Sequence, residues 1–237
     1  MENKSFKIKI YADGAKLEDM LAVYESKSVD GFTTNPTLMK QGGVRDYELF
    51  SKELLAKITD LSISFEVFAD DLAEMERQGR KIHPWGKNVY VKIPVTNTKG
   101  QFTTEIVQRL SKDGIPLNVT AILTVDQVKK VAAALNPNTP SIVSVFAGRI
   151  ADAGVDPLPI MKESAQILKS LPKCELLWAS TREVYNIFQA QDCGCHIITV
   201  PNDILKKLKG IGKDLDAVSL DTVKTFYLDG QQAGFAL

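Results

Sequence analysis

Lys92 lies within Val89-Tyr90-Val91-Lys92-Ile93-Pro94-Val95, a run of strong strand formers. Side chains alternate along a strand, so Tyr90 and Lys92 share one face and Val89, Val91 and Ile93 the other. If both faces are covered, the ammonium leaves water, which is costly and lowers its pKa. A neutral amine in a pocket can attack a ketone and form a Schiff base. Two other readings stay open: a strand-end lysine whose stem carries its charge to solvent, and a pair with Glu66. Aldol chemistry through an imine also needs proton transfers at the substrate hydroxyl, the carbinolamine and the enamine. A carboxylate and an activated water can perform them. Asp13 and Glu66 are the carboxylates on strand-like segments near Lys92, although Asp13-Gly14 also fits a plain turn.

Other polar residues end strand-like runs. They are Thr33, Asn35, Asn118, Thr120, Ser144, Arg149, Ser180 and Arg182. Asn35-Pro36 reads equally as an N-cap and first helical residue, with Gly42 or Gly43 closing a short helix. Ser180 fits a capping box with Glu183. A helix start also presents N–H groups to anions, so capping and binding are compatible. Arg149 and Arg182 could clamp a phosphate. Their alternative is pairing, Arg149 with Asp152 and Arg182 with Asp192. Cys193-Gly194-Cys195-His196 invites a metal reading, but only His83 remains as a further histidine and no second cysteine pair exists. Four convergent ligands are lacking, so no metal is expected. These residues read instead as small buried groups leading into a strand.

The elements that must position these groups alternate along the chain. Strand-like runs occur at Lys7–Tyr11, Val29–Thr33, Ser62–Phe68, Asn88–Ile93, Pro116–Thr120, Ser141–Phe146, Glu175–Ala179 and His196–Val200. Segments of helical period follow each, including Lys16–Ser26, Thr103–Lys112, Leu158–Leu171 and Arg182–Gln191. Eight βα units in 237 residues average about 30 residues each, enough for a βαβ repeat. Strict alternation argues for a parallel sheet flanked by helices. Eight units argue for closure into a (β/α)8 TIM barrel over residues 1–237, a single α/β domain with an additional C-terminal helix. An open doubly wound sheet is the other arrangement. The extra segment, Leu215–Leu228, has an apolar side (Leu215, Val218, Val223, Phe226, Tyr227) that needs a surface, from its own barrel or a neighbouring subunit.

Composition excludes several classes. Hydrophobic residues make up 44% and charged residues 24%, which argues against a disordered tail, a collagen or a coiled coil. Lys+Arg and Asp+Glu are both 29, so the net charge is zero. A neutral chain has no electrostatic footprint for nucleic acid or anionic membrane. No apolar run approaches a membrane span, and the N-terminus carries no secretory h-region. Three cysteines in a chain that can bury a core without staples point to a reducing compartment, so cytoplasm is expected.

Gly31-Phe32-Thr33-Thr34-Asn35-Pro36-Thr37-Leu38 together with Val91-Lys92-Ile93-Pro94-Val95-Thr96 resembles the transaldolase family, which includes the smaller fructose-6-phosphate aldolases. The resemblance continues through Asn118-Val119-Thr120, Val145-Phe146-Ala147-Gly148-Arg149, Ala179-Ser180-Thr181-Arg182 and Ile198-Thr199-Val200-Pro201. It implies that Lys92 forms the Schiff base with a ketose donor and that Asp13 is the general acid/base at the cleaved bond. It implies that Glu66 and Thr120 hold the catalytic water. Asn35, Asn118 and Ser144 would bind the hydroxyls of the dihydroxyacetone unit, with Thr33 in the same binding set. Arg149 and Arg182 would bind phosphate beside Ser180, and Phe146 would line the site. No cofactor is implied.

In this family transaldolases proper tend to carry Glu and Phe at the positions of Glu66 and Phe146, and the aldolases Gln and Tyr. The chain therefore resembles a transaldolase, transferring a dihydroxyacetone unit from fructose 6-phosphate or sedoheptulose 7-phosphate to an aldose phosphate. Two rivals remain: an aldolase releasing free dihydroxyacetone, and a barrel that binds sugar phosphate without turnover. Gly14, Trp178 and Thr181 depart from the family pattern and bear on acceptor choice. The short members resembled here often form rings of subunits, so a homo-oligomer is expected.

Overall fold

The computed structural model describes residues 6–235. They fall into one unit ending at Leu205 and a second beginning at Lys206. The first unit runs β1 (Lys9–Asp13), α1 (Leu17–Glu25), β2 (Gly31–Thr33), α2 (Pro36–Gln41), α3 (Tyr47–Lys57), β3 (Ser62–Glu66), α4 (Leu72–Ile82), β4 (Val89–Pro94), α5 (Thr104–Lys112), β5 (Leu117–Ile122) and α6 (Val125–Ala134). It continues with β6 (Ser141–Val145), α7 (Ala147–Asp152), α8 (Pro157–Leu168), β7 (Cys174–Trp178), α9 (Tyr185–Asp192), β8 (Ile197–Pro201) and α10 (Asn202–Leu205). Each strand pairs in parallel with the next, and β1 pairs with β8, so the sheet closes into a barrel and the open doubly wound sheet is excluded.

The first strand starts deeper in the chain than the sequence pattern alone places it. β1 starts at Lys9 rather than Lys7, because its partners in register run from Ile197 to Pro201 on β8. Helices cover the outside, so outward residues such as Phe32, Ile63, Phe65, Val91, Ile93, Leu117 and Val119 are wholly buried. Two-sided burial is what makes these strands read as continuous apolar runs. Side-chain caps set several helix starts. Asp46 accepts from the Leu49 N–H, Asp71 from the Glu74 N–H, and Thr124 exchanges a capping box with Gln127. The short α7 leaves no signal in the sequence pattern. Its six residues start immediately after β6, too few to show a helical period.

Inside the barrel the lower layer is apolar. Tyr11, Ile142, Leu177 and Ile197 cluster there with Tyr90 packed against them. Tyr11 bonds Ser62 Oγ through its hydroxyl at 2.6 Å, and burial pushes both Tyr11 and Tyr90 up to about 12, so the floor carries no charge from them. Gly31 makes room for the Tyr11 ring: a Cβ there would sit 2.5 Å from Tyr11 Cζ. Above this floor the inward residues turn polar, with Ser64, Asn118 and Ser144 linked by hydrogen bonds of 2.9 and 2.7 Å. An apolar plug below and polar groups above confine chemistry to the C-terminal end of the strands.

In the second unit, α11 (Leu215–Gln232) starts at Asp214, whose carboxylate accepts from the Ala217 N–H at 3.0 Å. None of its residues is buried, and Leu215, Leu220, Val223, Phe226 and Tyr227 are all more than half exposed in the single chain.

Candidate active site

A cavity of about 540 Å³ opens at the C-terminal ends of the strands. Of the residues singled out in the sequence, Asp13, Thr33, Asn35, Glu66, Lys92, Thr120, Ser144, Phe146, Arg149, Ser180 and Arg182 line it. Asn118 is not among the lining residues. It is wholly buried, and its amide donates to Ser64 Oγ and accepts from Ser144 Oγ, so it holds Ser144 in place from below. Thr199, Ala121 and Gln41 line the cavity without having been singled out. The period of β8 carried a signal for Thr199, since it shares the inward face with Ile197 of the floor cluster.

Lys92 is 6% exposed. Its Nζ donates to the Thr34 carbonyl at 2.8 Å and lies 3.0 Å from Glu66 Oε2. Glu66 and Lys92 face each other in register across β3 and β4. The lysine is therefore buried as the strand pattern requires, but as half of an ion pair rather than alone. A buried ammonium is tolerated when a carboxylate and a further acceptor satisfy it. Both acceptors are themselves fixed. The Thr34 hydroxyl and N–H bond the Ser64 carbonyl, and Tyr47 donates its hydroxyl to the Glu66 backbone carbonyl at 3.0 Å.

Asp13 ends β1 on the same face. Thr33 donates its hydroxyl to Asp13 Oδ1 at 3.0 Å and lies 2.5 Å from Thr199 Oγ1. Burial raises the Asp13 carboxyl above its ordinary pKa of 3.8, outweighing Lys92 and the Thr33 hydrogen bond, which lower it. A carboxyl moved toward neutrality by desolvation suits proton transfer in both directions. Asp13 is thus buried at the cavity wall and held by Thr33, which goes beyond the turn reading.

Thr120 sits where β5 becomes irregular. The β5–β6 register shifts between Val119 and Ile122, and Ala121 has a φ of +60°. The bulge turns both Thr120 and Ala121 toward the cavity. The Thr120 hydroxyl is buried and has no hydrogen-bond partner among the described residues. Asn35 caps α2 through its side chain, which accepts from the Leu38 N–H at 3.0 Å, with Pro36 at the first helical position and Gly42 at the end, as the sequence pattern predicts.

The opposite rim carries the cations. Arg149 stands over the Phe146 ring at 5.6 Å. Arg182 pairs with Asp152, so the pairings of Arg149 with Asp152 and Arg182 with Asp192 are both corrected: α7 brings Asp152 to the β7–α9 connection. The capping box from Ser180 to Glu183 is also corrected. Ser180 has a φ of +62°, α9 begins only at Tyr185, and the Asn186 side chain accepts from the Arg182 and Glu183 N–H groups instead. Gly148 permits this packing, because a Cβ there would sit 1.6 Å from the Ser180 carbonyl oxygen. The three cysteines are buried and free, and His196 Nδ1 accepts from the Leu176 N–H. No cluster of three or more His, Cys, Asp or Glu able to hold a metal occurs among the described residues, nor any helix long and apolar enough to cross a membrane.

Asp13 makes a stability prediction with a definite sign. A carboxyl whose native pKa is raised contributes stability below its unfolded pKa and loses it as pH rises through the native value. Asp13→Asn should therefore raise the urea midpoint at pH 7, and the gain should shrink as pH falls toward 3.8. A lowered midpoint at pH 7, or a gain independent of pH, would contradict the burial argument.

Comparison with known proteins agrees with this geometry. The family model described as Transaldolase/Fructose-6-phosphate aldolase matches residues 10–235. A probable transaldolase of Dehalococcoides mccartyi is 34% identical over 202 residues, covering 85% of this chain and 90% of that protein. One from Streptococcus equi subsp. zooepidemicus is 35% identical over 205 residues, with 85% and 90% covered. A protein named probable transaldolase 2 in Listeria monocytogenes is 33% identical over 202 residues, with 85% and 88% covered. With a matching barrel and a buried lysine at the mouth, the chain belongs to the transaldolase/fructose-6-phosphate aldolase family.

Proposed function

We propose that the protein is a Schiff-base-forming transaldolase. The observation that carries this reading is Lys92, buried at the cavity wall between the Glu66 carboxylate and the Thr34 carbonyl and sharing that cavity with Asp13. Lys92 passes its proton to the Glu66 carboxylate, 3.0 Å away, and attacks the ketone carbon of fructose 6-phosphate or sedoheptulose 7-phosphate. The carbinolamine loses water to form the iminium ion, with Glu66 and Thr120 handling the departing water. Asp13 takes the proton from the adjacent sugar hydroxyl while the carbon–carbon bond breaks. The electron pair passes to the iminium nitrogen, leaving an enamine and releasing an aldose phosphate. The enamine carbon then attacks the aldehyde of an acceptor aldose phosphate, the new alkoxide takes its proton from Asp13, and hydrolysis frees Lys92.

Asn35 and Ser144 orient the three-carbon unit, with Thr33 and Asn118 supporting Asp13 and Ser144. Arg149 and Arg182, on the rim with Ser180, receive the phosphate. Phe146 favours transfer over release, because a phenyl ring has no hydroxyl to protonate the enamine. The second reading, an aldolase that frees dihydroxyacetone, rests on the same lysine and separates from the first by its need for an acceptor.

Fructose 6-phosphate with erythrose 4-phosphate should yield transfer product, and fructose 6-phosphate alone should yield little free dihydroxyacetone. Lys92→Ala should abolish transfer while keeping the barrel's far-ultraviolet dichroism. Retained turnover would overturn the assignment. Equal cleavage without an acceptor would favour the aldolase.

The free, buried cysteines support a reducing compartment, the cytoplasm. The exposed apolar residues of α11, with the family resemblance, support a homo-oligomer. Light scattering should return a mass that is a multiple of the chain's, and a monomer at micromolar concentration would contradict it.

A further inference from the structure

Arg182 and Asp152 form a fork. Arg182 Nε donates to Asp152 Oδ1 at 3.0 Å, and Nη2 donates to Oδ2 at 2.5 Å. Two of the five guanidinium hydrogens are used, all on one edge, which leaves Nη1 and one hydrogen of Nη2 free. Arg182 lines the cavity, and Asp152 does not. Asp152 rides on α7, the helix that also carries Arg149. The first turn of α7 is pressed against the Ser180 backbone, two residues before Arg182, at a contact only Gly148 allows. Arg149 has no ion-pair partner within 4.0 Å among the described residues, so α7 holds one cation free and anchors the other.

We propose that Asp152 is a positioning residue for phosphate recognition: it fixes one edge of the Arg182 guanidinium so that the other edge, on the cavity that Arg149 also lines, binds the phosphate of a sugar phosphate. This rests on the reading of the cavity as a sugar-phosphate site. A free arginine side chain has many accessible rotamers, and a substrate phosphate must otherwise order it at each binding event. Anchoring it beforehand removes part of that cost.

The opposite role, in which Asp152 repels the phosphate, is the weaker effect here. The Arg182 and Asp152 side chains are 48% and 52% exposed, so solvent and salt screen a charge that does not line the cavity. The geometric constraint of a bidentate fork is not screened in that way. The Arg182 guanidinium holds the Asp152 carboxyl below the usual carboxylate range, so the anchor stays ionised at neutral pH.

The test uses the full-length protein and three variants, Asp152→Asn, Asp152→Glu and Arg182→Ala, each checked for an unchanged melting temperature. Calorimetry measures binding of inorganic phosphate and of fructose 6-phosphate. Kinetics compares fructose 6-phosphate with unphosphorylated fructose as donor. Asp152→Asn should weaken phosphate binding and raise KM for fructose 6-phosphate about tenfold, the change that roughly one charge-assisted hydrogen bond makes. It should leave kcat and the fructose KM within about twofold, a span small beside that tenfold effect. Asp152→Glu should recover most of the loss. Unchanged or tighter phosphate binding in Asp152→Asn would overturn the proposal, as would equal damage to both donors or no phosphate binding by the parent protein. If phosphate binding depends on Asp152 but no donor is turned over, only the reaction assignment falls.

Discussion

An ammonium group removed from water must be met by fixed acceptors, or it is lost as a charge or lost as a fold. Lys92 is held by the Glu66 carboxylate from the neighbouring strand and by the Thr34 carbonyl at the end of β2. Both contacts exist because the sheet is parallel and closed: register places Glu66 opposite Lys92, and closure brings Thr34 within reach. The carbonyl is pinned by Ser64, the strand of Glu66 by Tyr47. The apolar floor under Lys92, with Tyr11 seated over Gly31, keeps the interior filled from the other end. The barrel is thus both the scaffold of the lysine and the reason its charge is tolerated.

Around that pair the site divides by dielectric. On the buried side, Asp13 is desolvated and its carboxyl raised, as the proton transfers proposed for it would require. On the rim, Arg149 and Arg182 remain partly solvated, where a phosphate can reach them. Under the proposed function, a sugar phosphate spanning both regions would place its phosphate on the cations and its reacting carbons over Lys92. Binding energy from the phosphate would then orient the distant bond.

The fold was legible in the sequence to an unusual depth because parallel strands buried on both faces leave apolar runs such as Val89–Ile93 and Ile197–Val200. Most site residues were legible too, since each ends such a run. What was not legible depended on contacts between units. The helix α7 is too short to show a period, and its position decides that Asp152 meets Arg182 rather than Arg149. Ser180 looked like a cap because the spacing to Glu183 fits. The backbone is left-handed there, packed against Gly148, and Asn186 takes over the N–H groups. Asn118 ends its run as the others do, but its amide is consumed by Ser64 and Ser144, so it supports the wall instead of forming it.

The account stands on Lys92 as a nucleophile and not only as an ion-pair partner. Borohydride reduction of the protein with fructose 6-phosphate, followed by intact mass and a peptide map, separates the two most directly. A stable three-carbon adduct on Lys92 is the predicted result, because an imine at that nitrogen is the only species reduced there after the sugar is cleaved. Absence of any adduct on Lys92, with fructose 6-phosphate shown to bind, would contradict it and leave the Glu66–Lys92 pair as a structural feature of a binding barrel.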